Sequence, residues 1–211
     1  MTVNNTDAIE KLAAVFFASD QSDARRIFHG RGHLFPGLEH VCIDWFRPLV
    51  LITAHAAIDD IEGLTEILLR ADELKQIRTI VLQNRFERGA PAQTIYGEAA
   101  GPIVAKEGNL LFDVHPGTQQ NCGLFLDMRC LRDWLLENSG EANVLNLFAY
   151  TCSLSVAAIA GGAKLVTNVD MSKTSIKWGE GNHTLNRQDL SNVHSVPHNL
   201  FKSWGKMKQF G

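Results

Sequence analysis

At 211 residues, 45% of them apolar and 20% charged, the chain can bury a sizeable core and is too evenly mixed for a disordered or fibrous protein. A formal charge of −3 at pH 7 excludes a surface that attracts nucleic acid everywhere, though it leaves room for a local basic patch. Cys42, Cys122, Cys130 and Cys152 form no C-x-x-C pair, which argues against a zinc knuckle or a disulfide framework and for reduced thiols.

The N-terminus lacks the basic start and apolar run of a secretory signal, and no later stretch of about twenty apolar residues could span a bilayer. A cytoplasmic protein with no membrane partner is expected. From Thr6 to Ala18, Ile9, Leu12, Ala13, Phe16 and Phe17 recur at helical spacing and predict an amphipathic helix. Next, R-R-I-F-H-G-R-G-H gathers three arginines, two histidines and two glycines around one aromatic, the composition of a phosphate-contacting loop. Arg25, Arg26, His29 and Arg31 are its candidate RNA contacts, with Phe28 available for stacking; a solvated loop is the alternative. His29, His33 and His40 complete no defined metal spacing.

V-C-I-D-W-F and L-V-L-I-T-A, split by Arg47-Pro48, read as strands, D-D-I-E-G-L-T-E-I-L-L-R-A-D-E-L as a helix, and T-I-V-L-Q-N-R as another strand. P-I-V-A-K-E-G-N-L-L-F-D-V holds two apolar runs around a turn with a residue at positive φ, so a hairpin is predicted. Residues 1–115 therefore read as an α+β accessory domain, and 116–211 as a second domain. A loop, H-P-G-T-Q-Q-N-C-G, leads to G-L-F-L-D-M-R and a helix from about Met128 to Glu137, stopped at Asn138-Ser139-Gly140.

Residues 144–170 read as a β-α-β unit. Val144, Leu145 and Leu147 suit a buried parallel strand, and Leu154 to Ala160 a helix ended by Gly161-Gly162. Lys164 to Val169 suit the next strand, with Asp170 at its carboxyl end, where such folds hold their ligands. A dinucleotide fold wants G-x-G-x-x-G in the first loop so that backbone can approach a pyrophosphate. F-A-Y-T-C-S offers bulk instead. S-adenosylmethionine has no phosphate, and it needs an acid at the second strand's end to accept from both ribose hydroxyls, a task for which Asp170 is placed. A well-packed unit with a helix-capping Asp is the plain alternative.

The run L-N-x-F-x-Y-T, a small-residue helix, G-G, a strand ending V-D, and a helix ending at Asn182 and Asn186 resembles a known family. It is similar to the class I S-adenosylmethionine-dependent methyltransferases related to the bacterial 23S rRNA 5-methylcytosine methyltransferases. Gly123 to Arg129, G-L-F-L-D-M-R, is similar to a segment that precedes the cofactor motif in that family. The resemblance covers about Asn121 to Trp204 and extends more loosely back through R-R-I-F-H-G-R-G-H-L-F-P-G-L-E-H. It implies that Asn146, Phe148, Tyr150, Thr151 and Ser153 line the cofactor loop and that Asp170 holds the ribose. Phe125, Asp127 and Arg129 are implied neighbours of the cofactor, although Asp127 and Arg129 could equally form a local ion pair at a helix start. Asn199 stands where such enzymes usually carry an Asp near the adenine amino group, keeping an acceptor but dropping a charge. Cys152 stands where many relatives have Gly, and reads as a buried small hydrophobe.

The family's Asp-Pro-Pro loop, which faces the target base, would come after H-N-L-F-K-S-W-G-K-M-K-Q-F-G. The expected fold is thus α/β, an α+β accessory domain followed by a partial Rossmann-like methyltransferase sheet of about three strands, the N-terminal portion of a longer enzyme. Its first strand would be an apolar edge needing cover. The resemblance implies S-adenosylmethionine as cofactor and RNA, ribosomal RNA first, as substrate; a homodimer is an open alternative partner. The catalytic residues are not assigned. Two other functions stay open on the residues: a non-catalytic RNA-binding module with a vestigial nucleotide fold, and a NAD-dependent oxidoreductase, which the missing glycines disfavour.

Overall fold

The computed structural model describes residues 6–202, so that Trp204 lies outside the described residues. The chain divides into two compact units, one of Met1–Gly108 with Val114–Cys122, the other of Asn109–Asp113 with Gly123–Gly211. The sequence boundary near residue 115 is thus drawn differently: the first unit runs on to Cys122, and a short strand piece upstream goes with the second.

The first unit is a five-stranded mixed sheet in the order β1-β2-β3-β4-β5, made of β1 (Arg25–His29), β2 (Val41–Phe46), β3 (Leu49–Ala54), β4 (Thr79–Asn84) and β5 (Ala92–Gly97). Every residue of β2 and β3 is buried, as befits central strands covered on both faces. Helix α1 (Asp7–Phe17) lays Ile9, Ala13 and Phe17 on the core, and α2 (Ile61–Ala71) adds Leu64 and Leu68 around Trp45, Ile43, Ile52 and Ile80. Asp60 starts α2 by accepting from the Gly63 N–H at 2.7 Å. The arginine-rich stretch expected to be a loop is in part strand β1, and Phe28, expected to be free for stacking, is 1% exposed against Phe35, ring centroids 4.9 Å apart. Two residues of that stretch face the core, so burial overrides its polar composition. The hairpin appears as β6 (Ile103–Glu107) and β7 (Leu110–Val114), with Gly108 in the turn at φ +59°.

The second unit is a parallel sheet in the order β10-β9-β8, formed by β8 (Asn143–Leu147), β9 (Leu165–Asp170) and β10 (Val193–Pro197). Helices α4 (Ser153–Ala160) and α5 (Lys173–Leu185) make the two crossovers, and α3 (Arg129–Asn138) precedes β8. The small side chains of α4 let α3 come close: a Cβ on Gly161 would stand 2.5 Å from the Leu135 carbonyl oxygen. Leu145, expected in a buried strand, is 55% exposed, so its face of β8, the edge strand beside β9, is uncovered among the described residues.

The N-x-x-x-N spacing of α5 has a packing role. Asn182 accepts from the Asp113 N–H (2.8 Å), while Asn186 accepts from the Leu111 N–H (2.9 Å) and returns its amide to the Leu111 carbonyl (2.6 Å). One turn earlier, Trp178 donates its ring N–H to the Asp113 carbonyl at 3.0 Å. Three α5 side chains on one face thus supply partners to a piece of extended backbone, which would otherwise leave buried polar groups unsatisfied.

Candidate active site

The carboxyl ends of β8 and β9 meet at the loop Phe148–Cys152, which does without glycine in an unexpected way. Phe148, Tyr150 and Cys152 all sit in the left-handed region, at φ +55°, +48° and +59°. Each such residue costs on the order of 1–3 kcal/mol, and clusters of them persist where surrounding bonds fix them, often at ligand clamps. Here the Ala149 N–H donates to the Val169 carbonyl (3.1 Å), the Cys152 N–H to the Ala149 carbonyl (2.8 Å) and the Asn182 amide to the Thr151 carbonyl (2.9 Å). The Thr151 hydroxyl donates to the Gly123 carbonyl, which ties the loop to G-L-F-L-D-M-R.

Asp170 closes this loop. Its Oδ2 accepts from the Tyr150 N–H (2.9 Å) and its Oδ1 from the Ser172 N–H (2.8 Å). An ionised carboxylate offers about four lone-pair sites, so two remain for a vicinal diol. The backbone bonds also hold the carboxylate in place beforehand, which favours binding.

The loop carries an aromatic surface. Phe148 is 61% exposed, its ring 5.7 Å from that of Phe201, and Tyr150 stands 5.2 Å from Phe125 and 6.2 Å from Trp178. Phe125, Tyr150 and Asp170 are thus linked, through the ring contact and the Tyr150 N–H, while Phe148, two residues earlier in the same loop, pairs with Phe201. Ser153 opens α4 beside them. Asn199 is half-buried and accepts from the Phe201 N–H at 3.1 Å. Trp178 and Phe201 were not singled out from sequence, although the spacing of Trp178 one turn before Asn182 was a usable signal.

Other expected residues are engaged elsewhere. Asn146 is buried in the sheet, its amide donating to Asn168 Oδ1 at 2.8 Å, and the Nδ2 of Asn168 is a buried donor with no partner. Asp127 is exposed in a 3-10 turn, and Arg129 lies 3.8 Å from Asp133 one helical turn on. Arg132, which is fully buried, donates to the Phe125 carbonyl (3.0 Å) and lies over the Phe112 ring, so it supports the segment from behind.

Two groupings resemble catalytic machinery without access. Cys152 is 1% exposed, and burial first, then the neighbouring Asp170 charge, push its thiol pKa up to about 12. It is a packing residue at neutral pH. Ser155 Oγ lies 2.7 Å from His183 Nε2, and His183 Nδ1 lies 2.6 Å from Gln188 Oε1, but Ser155 and His183 are wholly buried. Gln188 donates on to the Val156 carbonyl (2.8 Å), making the trio a strut between α4 and the segment after α5.

In the first unit, Arg25, His29 and Arg31 are exposed, whereas Arg26 is committed to Asp44 through contacts of 2.7 and 3.2 Å.

Residues 25–211 match the family model of the S-adenosylmethionine-dependent methyltransferases. The chain belongs to this family. The ribosomal RNA large subunit methyltransferase K/L of Pseudoalteromonas translucida is 35% identical over 163 residues, covering 73% of this chain and 23% of the relative. This chain thus spans about a quarter of the curated relatives it matches. Among solved structures, a chain from Streptococcus mutans described as a SAM-dependent methyltransferase is 25% identical at a TM-score of 0.79, covering 100% of this chain and 56% of that one. A methyltransferase solved as a complex with SAH is likewise 25% identical, at a TM-score of 0.80 and the same coverages. Among the described residues no helix is long and apolar enough to cross a membrane.

Proposed function

We propose that this chain forms the cofactor-holding part of a methyltransferase that acts on ribosomal RNA of the large subunit. The observation that carries the reading is Asp170, at the carboxyl end of β9, with both oxygens fixed by backbone N–H groups and acceptor capacity to spare for a ribose diol. The loop fits S-adenosylmethionine better than a dinucleotide: it presents aromatic rings and no glycine-lined approach for a pyrophosphate. The neighbour solved with SAH supports the same reading.

Asp170 would hold the ribose hydroxyls, and Asn199 would offer an acceptor to the adenine amino group. Phe148, Tyr150 and Phe125 would shield the bound molecule from water, with Thr151 and Ser153 setting the course of the loop. Once bound, the sulfonium supplies an electrophilic methyl group. The protein's share is then mostly positioning, because the attacking atom must lie in line with that methyl.

The large-subunit rRNA substrate is inferred from the relative's name, and the cytoplasm follows as the place of action. Two kinds of target stay open, an exocyclic amine, which needs no covalent help, and carbon 5 of cytosine, the atom named by the motif resemblance. That atom needs a cysteine thiolate to add to the ring first. Cys152 does not fill the role, being buried with its thiol pushed up to about 12. A homodimer is the remaining partner reading, and light scattering tests it.

The test is methyl incorporation from labelled S-adenosylmethionine into undermodified large-subunit rRNA by the gene product carrying this chain, with and without Asp170→Ala. Incorporation lost on substitution supports the reading; no incorporation, or incorporation indifferent to Asp170, overturns it.

A further inference from the structure

The carboxyl edge of the first unit's sheet carries cations that the cofactor site does not use. β1 is antiparallel to β2, β2 to β3, and β3 runs parallel to β4, so β1, β3 and β4 end at the same edge. The chain leaves these ends through His29-Gly30-Arg31, through His55, and through Arg85-Phe86-Glu87-Arg88. Hydrogen bonds tie the β3 exit to its neighbours: the Arg85 N–H donates to the Ala54 carbonyl (2.8 Å), joining the β4 and β3 exits, and the His55 N–H donates to the carbonyl of His40, which leads into β2 (2.7 Å). The first exit is also pinned back. A Cβ on Gly30 would stand 1.7 Å from the Leu38 carbonyl oxygen, so Gly30 is buried while His29 and Arg31 on either side stay exposed.

Arg31, Arg85 and Arg88 outnumber the carboxylates beside them, Glu39 and Glu87. Asp44 is taken by Arg26. Arg85 is anchored by one terminal nitrogen to the Gln120 carbonyl and to Asn121 Oδ1, and its buried Nε has no partner. Glu87 Oε1 accepts from the Asn84 amide at 2.9 Å. No carboxylate lies within ion-pair distance of Arg31, Arg85 or Arg88 among the described residues. His55 registers the surplus: its pKa is lowered by burial first, then by Arg31, Arg85, Arg26 and His29. Beside Arg85, the Phe86 ring is 47% exposed.

From β1 to β4 is three strand spacings, roughly 14 Å. That reach exceeds one phosphate group and suits a chain of them. We propose that this edge, through Arg31, Arg85 and Arg88 with His29 and His55, binds the phosphodiester backbone of RNA, with Phe86 as a stacking face for an unpaired base. It rests on the RNA reading above and names a surface for it; beyond the arginine stretch visible in the sequence, His55 and the β4 exit are additions of the fold.

The test is fluorescence anisotropy of the 211-residue chain with a labelled single-stranded RNA oligonucleotide over a salt series. Arg31→Gln and Arg88→Gln should each weaken binding and flatten the plot of log affinity against log salt by about 0.7, the value for one lost single-strand phosphate contact. Phe86→Ala should weaken binding and leave that slope unchanged. Thermal midpoints should match the parent's. No RNA binding by the parent, an unchanged slope in the Arg31→Gln/Arg88→Gln double variant, or equal affinity for phosphatidylglycerol vesicles overturns the proposal. S-adenosylhomocysteine titration of the same samples separates the two readings: a lost slope with no cofactor binding leaves the RNA edge standing and counts against the Asp170 site of this chain alone.

Discussion

Replacing Gly179 with alanine puts a methyl group where Cys152 already stands. The added Cβ would lie 2.3 Å from Cys152 Sγ, 2.7 Å from its Cβ and 3.1 Å from the Thr151 carbonyl carbon. Both sides are closed, since Gly179 is buried in α5 and Cys152 is held in the left-handed region at φ +59°. Overpacking of this kind costs about 1–3 kcal/mol. Cys152→Gly should be nearly neutral, because relief of the left-handed backbone, about 1–2 kcal/mol, offsets a lost thiol burial of similar size. In the double variant the two shortest contacts vanish, and the remaining 3.1 Å approach needs a shift of only tenths of an ångström. Urea unfolding at constant m-value should therefore give Gly179→Ala a loss of about 1–3 kcal/mol that largely disappears in the Cys152→Gly background, a coupling of similar size. Equal losses in both backgrounds would refute this account of why the loop and α5 touch.

His183 has its pKa lowered, first by burial, so the unfolded chain takes up a proton near pH 6.5 that the folded chain refuses; stability should be full above that pH and fall below it, by up to about 1.4 kcal/mol per unit, and His183→Gln should remove that slope in unfolding titrations. A slope unchanged by the substitution would contradict the buried strut. Iodoacetamide on the native chain at pH 8 should label exposed Cys130 well before buried Cys42 and Cys152, whose thiols burial pushes up, and mass spectrometry finding Cys152 labelled first would reverse the packing assignment. Asn182→Ala orphans the Asp113 N–H and the Thr151 carbonyl together, so it should cost roughly 2–4 kcal/mol, against under about 1 kcal/mol for an exposed control such as Asn192→Ala.

Much of the fold could be read from periodicity. β2 and β3 fall on the predicted apolar runs, and the helices α1, α2 and α4 within two or three residues of their predicted ends at one or both termini. β1 hid because the register shifts between Arg26 and Phe28, so Ile27 and Phe28 are buried side by side and the alternation that marks a strand is broken. β5 hid for a different reason, since Ala92–Gly97 is a thinly buried edge strand with little apolar pattern to show. Of the site, Asp170 was legible because an acid at a strand's carboxyl end is a local feature. The left-handed turns of Phe148, Tyr150 and Cys152 were not, as no glycine announces them and bonds from distant segments impose them. The two asparagines of α5 were visible as a pattern, but their role depends on backbone 69 and 75 residues away in the chain.

The central claim is that Asp170 and its loop form a cofactor site, and calorimetric titration of the 211-residue chain with S-adenosylhomocysteine tests it most directly. Saturable binding is predicted, with NAD giving none and Asp170→Ala abolishing it while the fold persists by circular dichroism. Binding that survives Asp170→Ala unweakened, or NAD binding in place of S-adenosylhomocysteine, would contradict it.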